Sequence, residues 1–179
     1  LKPPALSAPG AAFVGAWEGF RADCYDDAGG NCTIGYGHLI HYGKTTPNDR
    51  TRWGSLTEAQ GRRLLQGDAH TALMGIERHI AVALTQPQID ALCSFAYNCG
   101  PEALTGVVGA AVNGKPRKPW PLNIRPLQVW HATVAAALLQ WDHVGGKVLP
   151  GLEHRRQSEG ILFGSGKYTK AQGNSAANA

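Results

Sequence analysis

Two carboxylates and one hydroxyl lie close together near the start of this chain. Glu18 sits on an apolar, helix-like segment beside Trp17 and Phe20, near the segment's C-terminal end. Apolar surroundings disfavour an ionised carboxylate, and a helix C-terminus is the negative end of its dipole. Both effects are expected to keep a proton on Glu18, the state a general acid needs. The plain alternative is an exposed helix Glu paired with Arg21 at i+3. Asp27 opens a turn just beyond. A turn Asp commonly caps its own backbone. A helix end running into a hairpin can also bring two carboxyls to one cleft mouth, the minimal equipment for glycoside hydrolysis. Thr33, on the returning strand, offers a hydroxyl that could hold a water; otherwise it is a strand Thr chosen for β-propensity.

Other side chains are candidates for support. His38 ends a glycine-rich run; it is either a third acid/base or, the favoured role, a hydrogen-bonding residue that ties the hairpin to the helix and orients Glu18. Arg155 or Arg156 could pair with Glu18 or its neighbours, or form a surface pair on the last helix. Trp17, Trp53, Trp120, Trp130 and Trp141 are core residues by default. Trp141, beside Asp142 and close to glycines, is the best of them to line a sugar cleft, and Tyr25 joins it as a substrate-binding candidate. Glycines 29, 30, 35 and 37 do not form a phosphate loop, since no Lys-Ser/Thr follows.

The elements that must position these groups follow from periodicity and punctuation. Ala12, Phe13, Ala16, Trp17 and Phe20 recur at helical spacing, so a helix over 12–22 is expected. Cys24, Tyr25, Cys32, Thr33 and Ile34 flank Asp-Ala-Gly-Gly and predict a β-hairpin. Residues 41–56, with Pro47, Asn48 and Asp49, read as an irregular excursion or a third short strand. Thr57-Glu58-Ala59-Gln60 is a capping-box signature. A helix is expected after Thr85, with Pro87 in its first turn and Gly100-Pro101 as its stop. The proline-rich 113–126 reads as a loop, 127–141 as an apolar helix broken by Gly145-Gly146, and 151–163 as the last helix. No internal repeat is visible.

The chain has 179 residues, 43% hydrophobic and 17% charged, enough for one domain with a real core. It lacks an apolar run long enough for a transmembrane helix, and its start, LKPPALSAPGAAFV, has no secretory h-region. Net charge is +4, which suits an anionic partner or solubility alone. The four cysteines, 24, 32, 93 and 99, are read as free buried thiols rather than disulfides, although three pairings are possible. Neither Cys nor His spacing offers a ligand set, so no metal and no cofactor is expected.

The run Glu18-Gly-x-Arg21…Tyr25-x-Asp27-x-x-Gly30-x-x-Thr33-Ile34-Gly35-Tyr36-Gly37-His38 resembles the signature of the phage-type lysozymes (endolysins, glycoside hydrolase family 24). Ala91–Gly100 resembles that family's central helix, in which an amide at the Asn98 position contacts the sugar chain. Trp141-Asp142…Gly145-Gly146-Lys147-Val148-Leu149-Pro150-Gly151-Leu152-x-x-Arg155-Arg156 resembles its C-terminal segment. The likeness covers about Phe13 to Phe163. It departs from the pattern at Cys24, Cys32 and Cys99 and in the longer 41–55 and 113–126 segments. It implies an α+β, mostly α, lysozyme-like fold, with a small β-hairpin lobe, a larger helical lobe and the active-site cleft between them. The expected organisation is a flexible leader over 1–12, a lysozyme-like domain over 13–163 (β region about 23–56, helical lobe about 57–163) and a flexible tail over 164–179.

The resemblance implies a muramidase that cleaves peptidoglycan between N-acetylmuramic acid and N-acetylglucosamine. It makes Glu18 the acid, Asp27 rather than Asp26 the second carboxylate, and Thr33 the water-positioning hydroxyl. Asp27 and Thr33 argue for a delivered water and hence inversion, over a lytic transglycosylase that needs only the acid. The remaining alternative is a non-catalytic module binding cell wall or nucleic acid. The expected setting is the periplasm or cell wall, for a phage endolysin or a secreted bacterial effector domain. A monomer acting on glycan strands is expected, with no nucleic-acid partner, and an immunity protein only in the effector case.

Overall fold

The computed structural model of the chain describes residues 4–27, 29–116 and 125–170. The fold is mostly helical with a small antiparallel sheet. Two compact units are formed, Ala11–His70 and Leu1–Gly10 with Thr71–Ala179.

In the first unit, α1 (Ala8–Glu18) leads into a three-stranded antiparallel sheet, β1 (Arg21–Asp26), β2 (Cys32–Gly35) and β3 (His38–His41), in that order. The expected helix over 12–22 is displaced toward the N-terminus. Gly19 stops it with φ 74°, a left-handed conformation open to glycine at little cost, and Arg21 already belongs to β1. Its start is earlier because Ser7 Oγ accepts from Gly10 N at 3.0 Å, a helix N-cap with Pro9 in the first turn. Residues 4–12 therefore are not the flexible leader the sequence suggests. Leu6 is buried, and Ser7 N donates to Asp90 Oδ1 at 3.0 Å. A Cβ on Gly10 would lie 2.5 Å from Asp90 Cγ, so glycine permits that close approach. Residues 1–3 lie outside the described residues.

The 41–56 excursion is neither irregular nor all strand. It contains α2 (Pro47–Trp53), which starts at a capping box in which Thr46 and Asp49 bond each other's backbone N–H. The signature is Thr-Pro-Asn-Asp, whose Pro and Asn read as breakers when the cap is overlooked. The box expected at Thr57 is present: Thr57 N donates to Gln60 Oε1 at 2.7 Å, opening α3 (Glu58–Asp68). The sheet's inner face carries Cys24, Cys32 and Ile34, with Ile40, Trp53, Leu56 and Leu64 packed on it.

The second unit contains α4 (His70–His79), α5 (Gln86–Cys99), a 3-10 turn over Pro101–Thr105, α6 (Val107–Asn113), α7 (Arg125–Leu139), the hairpin β4 (His143–Val144) and β5 (Lys147–Val148), and α8 (Pro150–Ser165). Helix α5 ends before Gly100 as its sequence predicts. Its core face, Ala91, Leu92, Cys93, Phe95 and Ala96, is buried. It packs on α8, which also packs on α7. Trp130 is a core residue as expected: it is buried, its indole N–H reaches the Ala111 and Val112 carbonyls at 3.1 Å, and Phe163 meets it edge-on. Gly145 and Gly146, both at positive φ, make the β4–β5 turn. The proline-rich segment falls between α6 and α7; its residues 117–124, with Trp120, lie outside the described residues, as do 171–179 of the tail. Within the tail, Tyr168 donates to Asp90 Oδ2 at 2.7 Å, so the chain is tied down to that point. All four cysteines are free thiols, Cys24, Cys32 and Cys93 buried; burial pushes Cys93 up to about 12. Among the described residues, no helix is long and apolar enough to cross a membrane.

Candidate active site

Asp27 is held by the turn it opens. Its Oδ1 accepts from Gly29 N and Asn31 N, each at 2.8 Å, and Asp27 N donates to Asn31 O at 2.9 Å. This is the Asx-type cap expected of a turn Asp. The same bonds, led by the Asn31 amide, hold the Asp27 carboxyl below the usual range against the opposing effect of desolvation. The side chain thus stands as a fixed, ionised carboxylate. Strand pairing of Asp26 with Cys32 and of Tyr25 with Thr33 then sets Thr33 beneath it. Thr33 Oγ1 lies 3.4 Å from Asp27 Oδ2 and 3.1 Å from Asn31 O. Thr33 is only 2% exposed, so its hydroxyl faces the carboxylate rather than open solvent.

Tyr25 joins this group to Glu18. The Tyr25 hydroxyl is pushed up first by burial, with the charges of Asp27 and then Glu18 adding, and Arg21 opposing. Both carboxylates therefore act on one phenol. Arg21 places its guanidinium 4.4 Å from the Tyr25 ring centroid, a cation–π contact. Glu18 is the last residue of α1, as the dipole argument requires, but it is exposed. The apolar enclosure expected from Trp17 and Phe20 is not formed. Phe20 lies past Gly19 and turns onto Tyr36, with ring centroids 5.2 Å apart, over Gly61 of α3.

Asp26 has a different task. Its Oδ1 accepts from Thr45 N at 2.7 Å, fastening the end of β1 to the segment before α2. His38 is bonded to α3. Its Nδ1 lies 2.9 Å from Asp68 Oδ1, and its ring meets Trp53 at 5.6 Å. It ties the hairpin to α3, not to the helix that carries Glu18, and among the described residues it makes no hydrogen bond to Glu18.

In the helical unit, Asn98 is exposed near the end of α5, and Trp141 is 38% exposed with its ring edge-to-face on buried Phe95. Both keep a surface on which a ligand can rest. Arg155 and Arg156 are not a surface pair: they are 4% and 0% exposed. Arg156 Nε meets Glu159 Oε2 at 2.7 Å and Arg155 Nε meets Glu159 Oε1 at 3.3 Å. Ser94 Oγ donates to Glu159 Oε1 at 2.7 Å, and Arg156 Nη1 reaches Cys99 Sγ at 2.8 Å. Burial pushes the Glu159 carboxyl up, while Arg156 and then Arg155 pull it back.

Sequence reasoning missed Asn31, which fixes Asp27, and Glu159, which anchors both arginines. The signals were present: Asn31 sits at the closing position of an Asx turn, and Glu159 lies three and four residues beyond the two arginines on one helix.

A family model described as Phage lysozyme matches residues 15–159. The endolysin of Bacillus phage B103 is 32% identical over 164 residues, which are 90% of this chain and 55% of that protein. The chain thus spans about half the length of that relative. Among solved structures, the endolysin from Escherichia coli O157:H7 phage FAHEc1 superposes with a TM-score of 0.71 at 25% identity, covering 92% of this chain and 96% of the other. The muramidase domain of SpmX from Asticaccaulis excentricus gives 0.66 at 27% identity, covering 88% and 96%.

Proposed function

As the chain belongs to the phage lysozyme family, we propose that it is a muramidase that hydrolyses the β-1,4 bond between N-acetylmuramic acid and N-acetylglucosamine in peptidoglycan. Glu18 donates its proton to the leaving oxygen. Asp27 steers and deprotonates the attacking water, and Thr33 assists from below the carboxylate. Asn98, Trp141 and Tyr25 contact the glycan; Arg21, His38, Arg155 and Arg156 support the scaffold. A positive net charge of +4 suits approach to an anionic wall. Its place of action is the periplasm or cell wall, as a monomeric catalytic domain of a phage endolysin or a bacterial effector, an immunity protein being a partner only in the second case.

The observation that carries this reading is the Asp27 turn. A wall-binding module has no use for a carboxylate held ionised by two backbone amides within reach of a buried hydroxyl. A lytic transglycosylase needs the acid alone. The pair Asp27→Asn and Asp26→Asn tests it. Asp27→Asn is expected to lower lysis roughly 10²-fold or more, the scale of a lost acid/base group. Asp26→Asn, which lies in the tie between β1 and Thr45, is expected to leave lysis within about twofold, on the scale of an ordinary surface change. The reverse order would reassign the second carboxylate.

Inversion follows if a water lies between Asp27 and the sugar, an arrangement that needs carboxyls about 6.5–9.5 Å apart. NMR of the first-formed anomer during digestion is expected to show the α product. A β product, or a glycosyl group trapped on Asp27, would show direct attack by the carboxylate.

A further inference from the structure

Outside the residues assigned to catalysis, the sheet unit gathers four potential metal ligands from four elements. Cys32 of β2 stands directly opposite His41 of β3 in the strand register. Among the described residues, Cys32, His41 and Asp49 present ligand atoms that all lie within 4.8 Å of one another. Cys24 of β1 lies beside this group: its thiol is 3.9 Å from the Asp49 carbonyl, and Cys32 acts on its charge. We propose that Cys24, Cys32, His41 and Asp49 form a structural zinc site that fastens the three-stranded sheet to α2.

The hydrogen bonding around His41 calls for a cation. Its Nδ1 lies 3.0 Å from the Tyr42 carbonyl, which only accepts, so Nδ1 carries a proton. Its Nε2 lies 3.0 Å from Asp49 Oδ2. That oxygen already accepts from Thr46 N at 2.8 Å and Thr46 Oγ1 at 2.6 Å. A neutral imidazole would point a lone pair at an ionised carboxylate. At 3.0 Å a second proton stands between them; a metal ion would take the place of that proton, and the two thiols beside the pair suit such an ion.

The ligand set selects the ion. Two thiolates, an imidazole and a carboxylate suit borderline-soft Zn²⁺. Tetrahedral bonds of about 2.0–2.3 Å put ligand atoms roughly 3.3–3.8 Å apart, so the His41–Asp49 pair, at 3.0 Å, must open by a few tenths of an ångström while the thiols, in a group that spans up to 4.8 Å, move in. The outer shell is in place: Tyr42 fixes the His41 tautomer, and the capping box at Thr46 orients Asp49. Arg50, whose charge acts on Cys24 and Asp26, offsets the net negative charge of such a site. Cys24, Cys32 and Asp49 are buried. Four protein ligands leave no open position, so the ion would hold structure rather than act on substrate. Cys24 and Cys32 bracket the turn that holds Asp27, and the ion would stiffen that turn from both sides.

The test uses the whole chain, freed of metal under reducing conditions and titrated with Co²⁺. One Co²⁺ per chain is expected, with sulfur-to-cobalt charge-transfer absorption and tetrahedral d–d bands that Zn²⁺ abolishes. Cys32→Ser should remove the charge-transfer intensity. Asp49→Asn, which preserves the shape of the cap, should weaken binding about tenfold or more. Free Zn²⁺ at about a hundred times its Kd should raise Tm by roughly 5–11 °C. The proposal is overturned if the folded wild-type chain shows no thiolate charge transfer, if binding survives Cys32→Ser and Cys24→Ser together, or if thiol counting finds a Cys24–Cys32 disulfide.

Discussion

Glu18→Gln is expected to reduce wall lysis by roughly 10²–10⁴-fold, the contribution of a general acid, with the fold unchanged. The substitution keeps the shape of the side chain and removes only the transferable proton. Glu18 is an exposed residue at the end of α1, and surface changes of this kind cost about 0.5 kcal/mol at most. The loss should fall on kcat rather than KM, because proton donation stabilises only the transition state. Turbidity clearing of purified walls, with circular dichroism as the control, checks this. A folded Glu18→Gln chain with substantial turnover would remove Glu18 from the mechanism.

The second large effect concerns stability. Arg156→Leu is expected to destabilise the chain by about 3–5 kcal/mol, the cost of breaking a buried ion pair from one side. Arg156 and Glu159 are both fully buried, and the guanidinium meets Glu159 through Nε at 2.7 Å and Nη2 at 2.9 Å. It also lies 5.2 Å from the Phe95 ring centroid. Its removal leaves the Glu159 carboxylate with Arg155 and Ser94 alone. The double variant Arg156→Leu with Glu159→Met should recover part of the loss, since apolar replacement of a whole buried pair is often neutral. Urea unfolding measures both. A single-variant change under about 0.5 kcal/mol would mean that the cluster does not hold α8 on α5.

The features legible in the sequence were local ones. The Thr57 capping box, the Gly100 stop and the Asp27 turn each rest on contacts a few residues apart, so spacing alone reveals them. The environment of Glu18 was misread because Trp17 and Phe20 are its neighbours in sequence but not on a helix face. Residues one and two apart do not face each other, and Gly19 turns Phe20 away. For Arg155 and Arg156 the sequence left open a pairing with Glu18 or a surface pair, because their burial depends on Glu159 and on Ser94 of a distant helix. The Cys24, Cys32, His41 and Asp49 cluster has no finger-like spacing. Its members converge only through the strand register and α2, an element the sequence reading did not find.

The central claim is that water, directed to a glycosidic bond, is consumed in the reaction. Mass spectrometry of muropeptides released from purified peptidoglycan in ¹⁸O-water tests it most directly. The account predicts disaccharide-peptides with reducing N-acetylmuramic acid ends that carry one ¹⁸O atom. Fragments ending in unlabelled 1,6-anhydro-muramic acid would contradict it, because they show that the sugar's own hydroxyl, and no water, closed the reaction.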